Sequence, residues 1–351
     1  MAIVANTYTH VIGIDTHART HTLAVLNAAT SQVVATQAFA TTPAGLSRAV
    51  AWILRHTISV LTTLVVIEGA SSYGATLARA VTDGGMRVVE PLPIAKGLRA
   101  GRGKSDPIDA ELIARSVLPA DPARLRNPRT DQGVRAAVGT LIAARKLLTV
   151  HRTATVNHLT ALVRGINLGL DARRSLTAAQ IAQIAHWRDR DEPLEYATAR
   201  TQARAFARQI RTWDEDLKAN KRALATLVAD SPIAPLTQET GIAAITAATI
   251  LAAWSHPGRI TSEAAFAALA GVNPIPASSG NTTRHRLNRG GDRQLNRALH
   301  TIMLSRWRND PATQDYVARH QAQGKTTKAI LRTLKRYLAR HIYRELTQLT
   351  A

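Results

Sequence analysis

The stretch VIGIDTHARTHTLAVLN, residues 11–27, decides the fold of the first third of the chain. Two apolar runs, VIGID and HTLAVLN, flank a short polar segment, which is the pattern of two consecutive strands. The first run ends on an acidic residue, Asp15. A carboxylate at the end of a strand points towards one edge of a sheet.

Strand and helix patterns alternate from this stretch to about residue 118. Residues 10–15, 21–28 and 32–40 are predicted to form three strands, and a Thr-Thr-Pro start signal precedes a predicted helix over 42–56. A strand over 61–68, a helix over 73–82, a strand over 86–90 and a helix starting near Asp106 follow. Three hairpin-like strands, a helix and then β-α-β-α is the order of the ribonuclease H-like fold, so an α/β domain is expected here.

Four acidic residues occupy related positions in this pattern. Asp15 and Glu68 each end a predicted strand, and Asp106 and Asp109 lie three apart at the start of a helix, on one face of it. Clustered carboxylates repel one another unless cations hold them, and oxygen ligands suit Mg²⁺ or Mn²⁺. Two such ions clamp the attacking and leaving oxygens of a phosphodiester, so the set predicts a nucleic-acid-cutting enzyme. Taken singly, each acid also fits a turn residue or a helix cap.

The charge balance predicts a polyanionic partner. The chain has 45 Lys and Arg against 24 Asp and Glu, a formal net charge of +21, which suits nucleic acid or an anionic membrane surface. No apolar run reaches 18 residues and the N-terminus lacks a signal-peptide pattern, so nucleic acid is favoured over a membrane. The absence of cysteine excludes disulfides and thiolate metal sites and fits a reducing cytoplasm. His17 and His21 are expected to be exposed polar residues and not a zinc pair.

Two further parts are predicted beyond a Pro-rich linker at 119–131. Residues 132–230 read as helical, and GINLGLD at 165–171 breaks them into two long helices, consistent with an antiparallel hairpin or coiled coil. Residues 235–345 form a third, mainly helical unit. Arg145, Lys146 and Arg152 of the helical region are either a solvated helix face or contacts to nucleic acid. Four arginines near Gly290-Gly291 are interpreted as a phosphate cradle: Arg284, Arg286, Arg289 and Arg293.

Two blocks of the sequence resemble the transposases of the insertion-sequence 110 family. The first comprises VIGIDTHARTHTLAVLN, VVIEGASSYGATLARAV and KGLRAGRGKSDPIDAELIARSV, and the second is FAALAGVNPIPASSGNTTRHRLNRGGDRQLNRALHTIMLSR. The resemblance implies a RuvC-like nuclease domain whose four catalytic, metal-binding acids are Asp15, Glu68, Asp106 and Asp109. It also implies a second catalytic group, a serine, at Ser279. The family commonly has Lys-Thr-Asp where this chain has Lys-Ser-Asp at 104–106, which keeps the hydroxyl.

A serine beside metal ions and arginines can attack a phosphodiester and hold the strand as a phosphoserine. Such an intermediate conserves the bond for rejoining, as recombination requires. Two alternatives stay open from the residues: Ser278, Ser279 and Gly280 form only a polar turn, or Ser278 is the nucleophile.

The resemblance further implies a DNA transposase or recombinase that acts on donor and target DNA. It implies guidance by a structured bridge RNA encoded in the same element, and assembly as dimers that pair into a tetramer on DNA. A bacterial cytoplasmic, nucleoid-associated location is expected. The alternatives are a protein-guided DNA invertase, a RuvC-like nuclease for branched DNA without guide RNA, and a non-enzymatic nucleic-acid-binding protein.

The expected organisation has three parts, α/β followed by α. Residues 1–120 form the RuvC-like DEDD nuclease domain, and residues 121–231 form the linker and a helical coiled-coil arm. Residues 232–351 form a mainly helical C-terminal transposase domain that carries the catalytic serine.

Overall fold

A computed structural model of the chain describes residues 2–94, 97, 103–129, 132–282 and 285–350. The chain divides into two compact units. The first comprises Met1–Asp131 and Trp254–Phe266, and the second comprises Gln132–Ala253 and Ala267–Thr350. The expected division into three domains stays a prediction. No helix within the described ranges has the length and apolar character needed to cross a membrane.

A five-stranded sheet forms the centre of the first unit. Its strands are β1 (His10–Thr16), β2 (Thr20–Asn27), β3 (Val33–Ala40), β4 (Thr63–Ile67) and β5 (Arg87–Val89). Their spatial order is β3-β2-β1-β4-β5. The first three strands pair antiparallel, whereas β4 pairs parallel with β1 and β5 pairs parallel with β4. The five strands predicted from sequence are present in the predicted order, and this mixed α/β sheet is compatible with a RuvC-like DEDD domain.

Helices cover both faces of this sheet, which explains why its central strands are apolar at nearly every position. The helices are α1 (Val4–Thr7), α2 (Pro43–Arg55), α3 (Ala75–Asp83) and α4 (Asp106–Arg115). Helix α2 begins as its start signal predicts, because the Thr42 side chain accepts a hydrogen bond from the Gly45 amide. Ile12 and Leu23 pack on the face of α2 and α3. Val11 and Ala24 pack on the opposite face, with the inner side of α4.

Helix α4 lies directly on strand β1 at Gly13. A Cβ atom at this position would lie 2.0 Å from the carbonyl oxygen of Ala110 and 2.6 Å from the amide nitrogen of Ala114. Protein interiors have no room for such an atom, so the close approach requires glycine. Because the first turn of α4 carries Asp106 and Asp109, this contact sets how near both side chains come to the end of β1.

The segment Trp254–Phe266 returns from the last third of the chain to complete the first unit. The side-chain amide of Asn127 donates to the carbonyl oxygen of Gly258 at 3.4 Å, and the ring Nε2 of His256 lies 3.0 Å from the carbonyl oxygen of Pro128. The rings of Trp254 and Phe266 pack edge to face. The segment is therefore an integral part of the unit that holds the sheet.

The second unit is mainly helical. It contains the helices α5 (Gly133–Gly165), α6 (Ala178–Ala185), α7 (Leu194–Ala229), α8 (Ala244–Trp254), α9 (Glu263–Leu269), α10 (Arg293–Asn309), α11 (Pro311–Ala322) and α12 (Thr327–Leu349). Helices α8 and α9 extend into the segment Trp254–Phe266 of the first unit. Strands β6 (Pro274–Pro276) and β7 (His285–Leu287) pair antiparallel and form a short two-stranded sheet.

The long helices α5 and α7 pack against each other through buried side chains that include Leu159, Val163, Ala203 and Ile210. Helix α5 ends at Gly165, where the sequence break was expected. The expectation that residues 132–230 are helical throughout apart from this break is wrong, because residues 186–193 also lie outside the helices and α7 begins only at Leu194. A separate short helix, α6, intervenes, and its capping box at Thr177 and Gln180 starts it independently.

Candidate functional site

Strand β1 places Asp15 at the edge of the sheet, on the face that α4 covers. Side chains alternate along a strand, so Asp15 shares this face with Val11 and Gly13. Asp15 is 8% exposed. Its Oδ2 atom lies 3.1 Å from the Nε2 atom of His17, whose side chain is half exposed. The buried carboxylate of Asp15 therefore contacts the side chain of His17, which is itself partly open to solvent.

Helix α4 brings two further carboxylates to the same place. The Oδ1 atom of Asp106 lies 3.6 Å from Nε2 of His17. One ligand atom each from Asp15, His17 and Asp106 lie within 4.8 Å of one another, which suits coordination of a single cation. Asp109 is one helical turn further and lines the same cleft.

Glu68 joins these residues because β1 and β4 end at the same edge. The strands run parallel with Ile14 opposite Ile67, and the Glu68 amide donates to the Ile14 carbonyl oxygen at 3.1 Å. The hydroxyl of Thr16 donates to the Glu68 carbonyl oxygen at 2.7 Å. The cleft has a volume of about 420 Å³, and its lining includes all four predicted acids together with Thr16, His17, Gly69, Ser72, Tyr73 and Lys104.

The electrostatics of the cleft favour a bound cation. Burial raises the pKa of the Asp15 carboxyl above its ordinary value, and the carboxylates of Asp106 and Asp109 raise it further. His17 acts in the opposite direction and lowers the pKa of Asp15. Carboxylate oxygens suit Mg²⁺ or Mn²⁺, and an imidazole nitrogen suits transition-metal ions. The residues present therefore fit a divalent metal centre.

Ser279 lies in the second unit, in the loop between β6 and β7, and is exposed. Its amide donates to the carbonyl oxygen of Thr282 at 3.2 Å, and the Thr282 amide donates back at 3.1 Å. Gly280 has a φ of +54°, which glycine adopts without strain. These two hydrogen bonds between Ser279 and Thr282, which enclose only two residues, define a tight turn. The catalytic role of Ser279 stays a prediction.

Known transposases match the chain in two separate regions. Residues 12–168 match the DEDD transposase model of IS110 elements, which includes all four acids of the cleft. Residues 234–318 match the model described as transposase of the IS116/IS110/IS902 family, which includes Ser279. The chain belongs to the IS110 family of transposases. The resemblance inferred from the sequence motifs is thus confirmed.

A relative of this IS110-family chain is the insertion element IS110 uncharacterized 43.6 kDa protein of Streptomyces coelicolor (strain ATCC BAA-471 / A3(2) / M145). The two are 30% identical over 138 residues, which is 38% of this chain. The alignment covers 34% of the relative's own length, about a third of it.

Two basic residues that were singled out in the helical region of this family member make contacts within the second unit. The Arg145 guanidinium donates to the Leu217 carbonyl oxygen at 3.0 Å, and burial lowers its pKa. The Arg152 guanidinium donates to both carboxylate oxygens of Asp214, at 2.5 and 3.2 Å. Both contacts hold α5 against α7 and therefore help to stabilise the second unit. Lys146 is exposed.

The arginines of the predicted phosphate cradle are placed in part. Arg286, Arg289 and Arg293 are exposed, and Arg284 lies outside the described residues. Gly291 fixes the turn that carries Arg289, because a Cβ atom at Gly291 would lie 2.4 Å from the amide nitrogen of Gly271. This close backbone approach explains the need for glycine in the turn. Whether these arginines bind phosphate stays a prediction.

Two histidines of this family member have surroundings in the structure that the sequence did not predict. His17 is exposed as expected, but its contacts with Asp15 and Asp106 were missed; the signal was its spacing two residues after Asp15, which repeats the strand period. The expectation for His21 was wrong, because this residue is 1% exposed. It lies in β2 opposite Phe39 and in line with the buried Leu23. Burial lowers the pKa of the His21 ring.

Proposed function

We propose that this chain is a DNA transposase that cuts and rejoins DNA strands with divalent cations, Mg²⁺ or Mn²⁺ and two in number. The cations are held by Asp15, Glu68, Asp106 and Asp109. The observation that carries the proposal is the single cleft lined by these four acids, in a chain of a transposase family. The raised pKa of Asp15 supports it, because a carboxylate destabilised by burial and by its neighbours is a strong site for a cation.

The cleft residues have distinct roles in this proposal. When bound, the cations clamp the attacking and leaving oxygens of the scissile phosphate. Asp15 is the anchoring ligand, because it is the most buried carboxylate and its strand is fixed on both sides. His17 contacts Asp15 and Asp106, and its imidazole nitrogen lies where it can join one oxygen of each as a ligand of a single cation. Lys104 lies exposed in the cleft wall and attracts the DNA phosphate.

Ser279 is proposed to supply the nucleophile for strand exchange. Its hydroxyl loses a proton as the Oγ atom forms a bond to phosphorus and the bond from phosphorus to the departing strand breaks. The departing oxygen takes up a proton and becomes a free hydroxyl. The number of phosphoester bonds is unchanged, so a new strand end reverses the step without an external energy source. An exposed serine at a tight turn supports this role, because the hydroxyl is accessible to a DNA strand.

A guide RNA and an oligomeric state complete the proposal. The family resemblance supports a structured RNA of the same element that pairs with donor and target DNA, and a dimer that forms a tetramer on DNA. The net charge of +21 supports binding of polyanions, whether DNA or RNA. Sequencing of the RNA that co-purifies with the chain separates an RNA-guided transposase from a protein-guided invertase or a branched-DNA nuclease, which bring no specific RNA.

Replacement of Asp15 by Asn tests the metal centre. The variant is expected to lose metal-dependent strand cleavage and to keep DNA binding, because it removes a cation ligand and no positive charge. Asp83→Asn, at the exposed end of α3, is the matched control and is expected to cleave normally. Normal cleavage by Asp15→Asn would remove this residue from the mechanism.

A trapped covalent complex tests the nucleophile. The reaction is stopped by denaturation, the DNA is digested, and mass spectrometry identifies the residue that carries a nucleotide. The adduct is expected on Ser279, and Ser279→Ala is expected to lose both the adduct and recombination while it still binds DNA. An adduct on Ser278, or strand exchange by Ser279→Ala, contradicts the assignment.

A further inference from the structure

The cleft lined by the four acids also carries an exposed aromatic ring, that of Tyr73, which the proposed metal chemistry does not use. Tyr73 is part of the cleft lining. It is 64% exposed, more than most large side chains of the first unit. Among the described residues, no hydrogen bond and no ring contact reaches its side chain. Packing of the core therefore does not explain why an aromatic residue stands at this position.

The turn that carries Tyr73 is fixed to the edge of the sheet at both of its ends. At the start of the turn, Gly69 has a φ of +67°, and its carbonyl oxygen accepts a hydrogen bond from the Gly74 amide at 3.1 Å. At the end of the turn, a Cβ atom at Gly74 would lie 2.8 Å from Cγ2 of Ile67 and 3.0 Å from Cγ2 of Thr16. Consecutive Cα atoms are about 3.8 Å apart, so the backbone of Tyr73 is held beside the ends of β1 and β4.

The charged groups of the cleft contact the phosphate of a nucleotide and leave its base without a partner. Cations held by the acids attract the phosphate, and Lys104 adds one positive charge. An exposed aromatic ring supplies the missing kind of contact, since every base has a π-face on which such a ring can stack. The cleft volume of about 420 Å³ is in the range of pockets that hold one small ligand, such as a single nucleotide.

We propose that the ring of Tyr73 stacks on an unpaired base of the DNA strand whose phosphate enters the cleft. The inference rests on the proposed function for the placement of a DNA strand in the cleft. Bases inside a duplex are covered on both faces by their neighbours, so the stacked base must be out of the duplex stack. Tyr73 is then a substrate-binding residue that holds the nucleotide while the acids and their cations act on its phosphate.

The test compares Tyr73→Ala with Tyr73→Phe in the full chain. Binding of a fluorescent single strand of about 20 thymidines, longer than one stacking site, is measured by anisotropy at several KCl concentrations, with Ca²⁺ as the oxygen-binding cation. Tyr73→Ala is expected to bind roughly tenfold more weakly at every salt concentration, because one stacking contact is lost. The slope of log K against log salt is expected to stay the same, since stacking releases no counterions. Tyr73→Phe keeps the ring and is expected to bind like the unmodified chain.

Photochemical cross-linking locates the contact on the chain. In this measurement 5-iodouracil replaces the thymines of the same single strand, and near-ultraviolet light joins it to an aromatic side chain stacked on it. Mass spectrometry is expected to find the cross-linked nucleotide on Tyr73, and the Tyr73→Ala variant is expected to lose this product. Cross-links on other residues alone would overturn the proposal.

Leu61→Ala is the matched control. Leu61 is 82% exposed in the same unit, and it lies just before β4, at the other end of this strand from Glu68. The control is expected to bind like the unmodified chain, so an equal loss in Leu61→Ala and Tyr73→Ala overturns the proposal, as does unchanged binding by Tyr73→Ala. Binding by Tyr73→Phe as weak as that of Tyr73→Ala assigns the contact to the hydroxyl and overturns stacking. An equal loss with a blunt DNA duplex, or a loss seen only with a uridine RNA strand, overturns the assignment to an unpaired DNA base.

The outcome is separable from that of the proposed function. Binding of Mn²⁺ to Tyr73→Ala, followed by electron paramagnetic resonance, is expected to equal that of the unmodified chain, because Tyr73 is not a proposed ligand. Loss of Mn²⁺ from this variant would mean that the substitution damages the metal centre, and it would overturn a role confined to the base. Failure of the metal centre itself is measured by strand cleavage with Asp15→Asn, in which Tyr73 is unchanged.

Discussion

Replacement of Gly13 by Ala is expected to separate the proposed metal ligands while the protein stays folded. The new Cβ atom would lie 2.0 Å from the Ala110 carbonyl oxygen, and relief to an ordinary contact of about 3.4 Å requires α4 to move by roughly 1.4 Å. The obstacle is backbone, so rotation of a side chain cannot relieve it. Asp106 and Asp109 lie in the first turn of α4 and move with it.

The magnitudes follow from this displacement. Overpacking of a filled core costs about 1–3 kcal/mol, and a rigid backbone obstacle places Gly13→Ala near about 3 kcal/mol of lost unfolding free energy. Misplacement of catalytic groups by about 1 Å lowers rates roughly 100-fold. We therefore expect strand cleavage about 100-fold slower than that of the unmodified chain, and weaker binding of Mn²⁺.

Urea denaturation gives the unfolding free energy, electron paramagnetic resonance gives the fraction of bound Mn²⁺, and single-turnover cleavage gives the rate. Gly139→Ala is the control, because this glycine lies inside α5 and its Cβ would meet only the Arg135 side chain at 3.9 Å. The control is expected to gain up to about 1 kcal/mol, as Gly to Ala does in a helix. A Gly13→Ala protein that is as stable and as tightly metal-bound as the unmodified chain would refute the argument.

The side chains of His21, Arg152 and His17 can each be tested by substitution. Because burial lowers the pKa of His21, the folded protein resists protonation of this ring, and the unfolding free energy falls as the pH drops below about 6.5. His21→Leu should flatten this pH dependence, and an unchanged slope speaks against it. Arg152→Ala should lower the unfolding free energy by about 1 kcal/mol at most, because the ion pair of Arg152 with Asp214 is one-third exposed and screened by water. A double-mutant cycle with Asp214→Ala measures the coupling free energy, and a value of zero would contradict a stabilising ion pair. His17→Ala should weaken Mn²⁺ binding about tenfold or more, and pulsed electron paramagnetic resonance should lose any histidine nitrogen signal; unaltered affinity would exclude His17 from the centre.

The strands, and the meeting of the four acids in one cleft, were predictable because they depend on local patterns. The runs that end at Asp15 and Glu68 are apolar, and the order of strands and helices restricts the possible sheets to few arrangements. The face on which each acid lies follows from the periods of strand and helix. These signals extend over a few residues each, so the sequence contains them in full.

The details that the sequence did not reveal depend on packing between distant segments. The need for glycine at position 13 arises from the Ala110 backbone, almost a hundred residues away. His21 is polar by residue type, yet its strand register places it among apolar side chains. The late start of α7 follows a break between His186, the C-cap of α6, and Pro193, the N-cap residue of α7. In each case a tertiary contact or a local cap overrides what residue type suggests.

The late return of Trp254–Phe266 to the first unit has a consequence for synthesis on the ribosome. Chains generally fold domain by domain as they emerge, at about 5–20 residues per second. The sheet and its acids emerge early, but the contacts of Asn127 and Pro128 with Gly258 and His256 can form only after more than a hundred further residues are translated. The unit with the four acids of the cleft therefore waits on the order of ten seconds for its last segment. A nascent chain, or a fragment that ends near residue 131, lacks that segment. Completion of the unit that carries the four acids therefore requires synthesis of most of the protein.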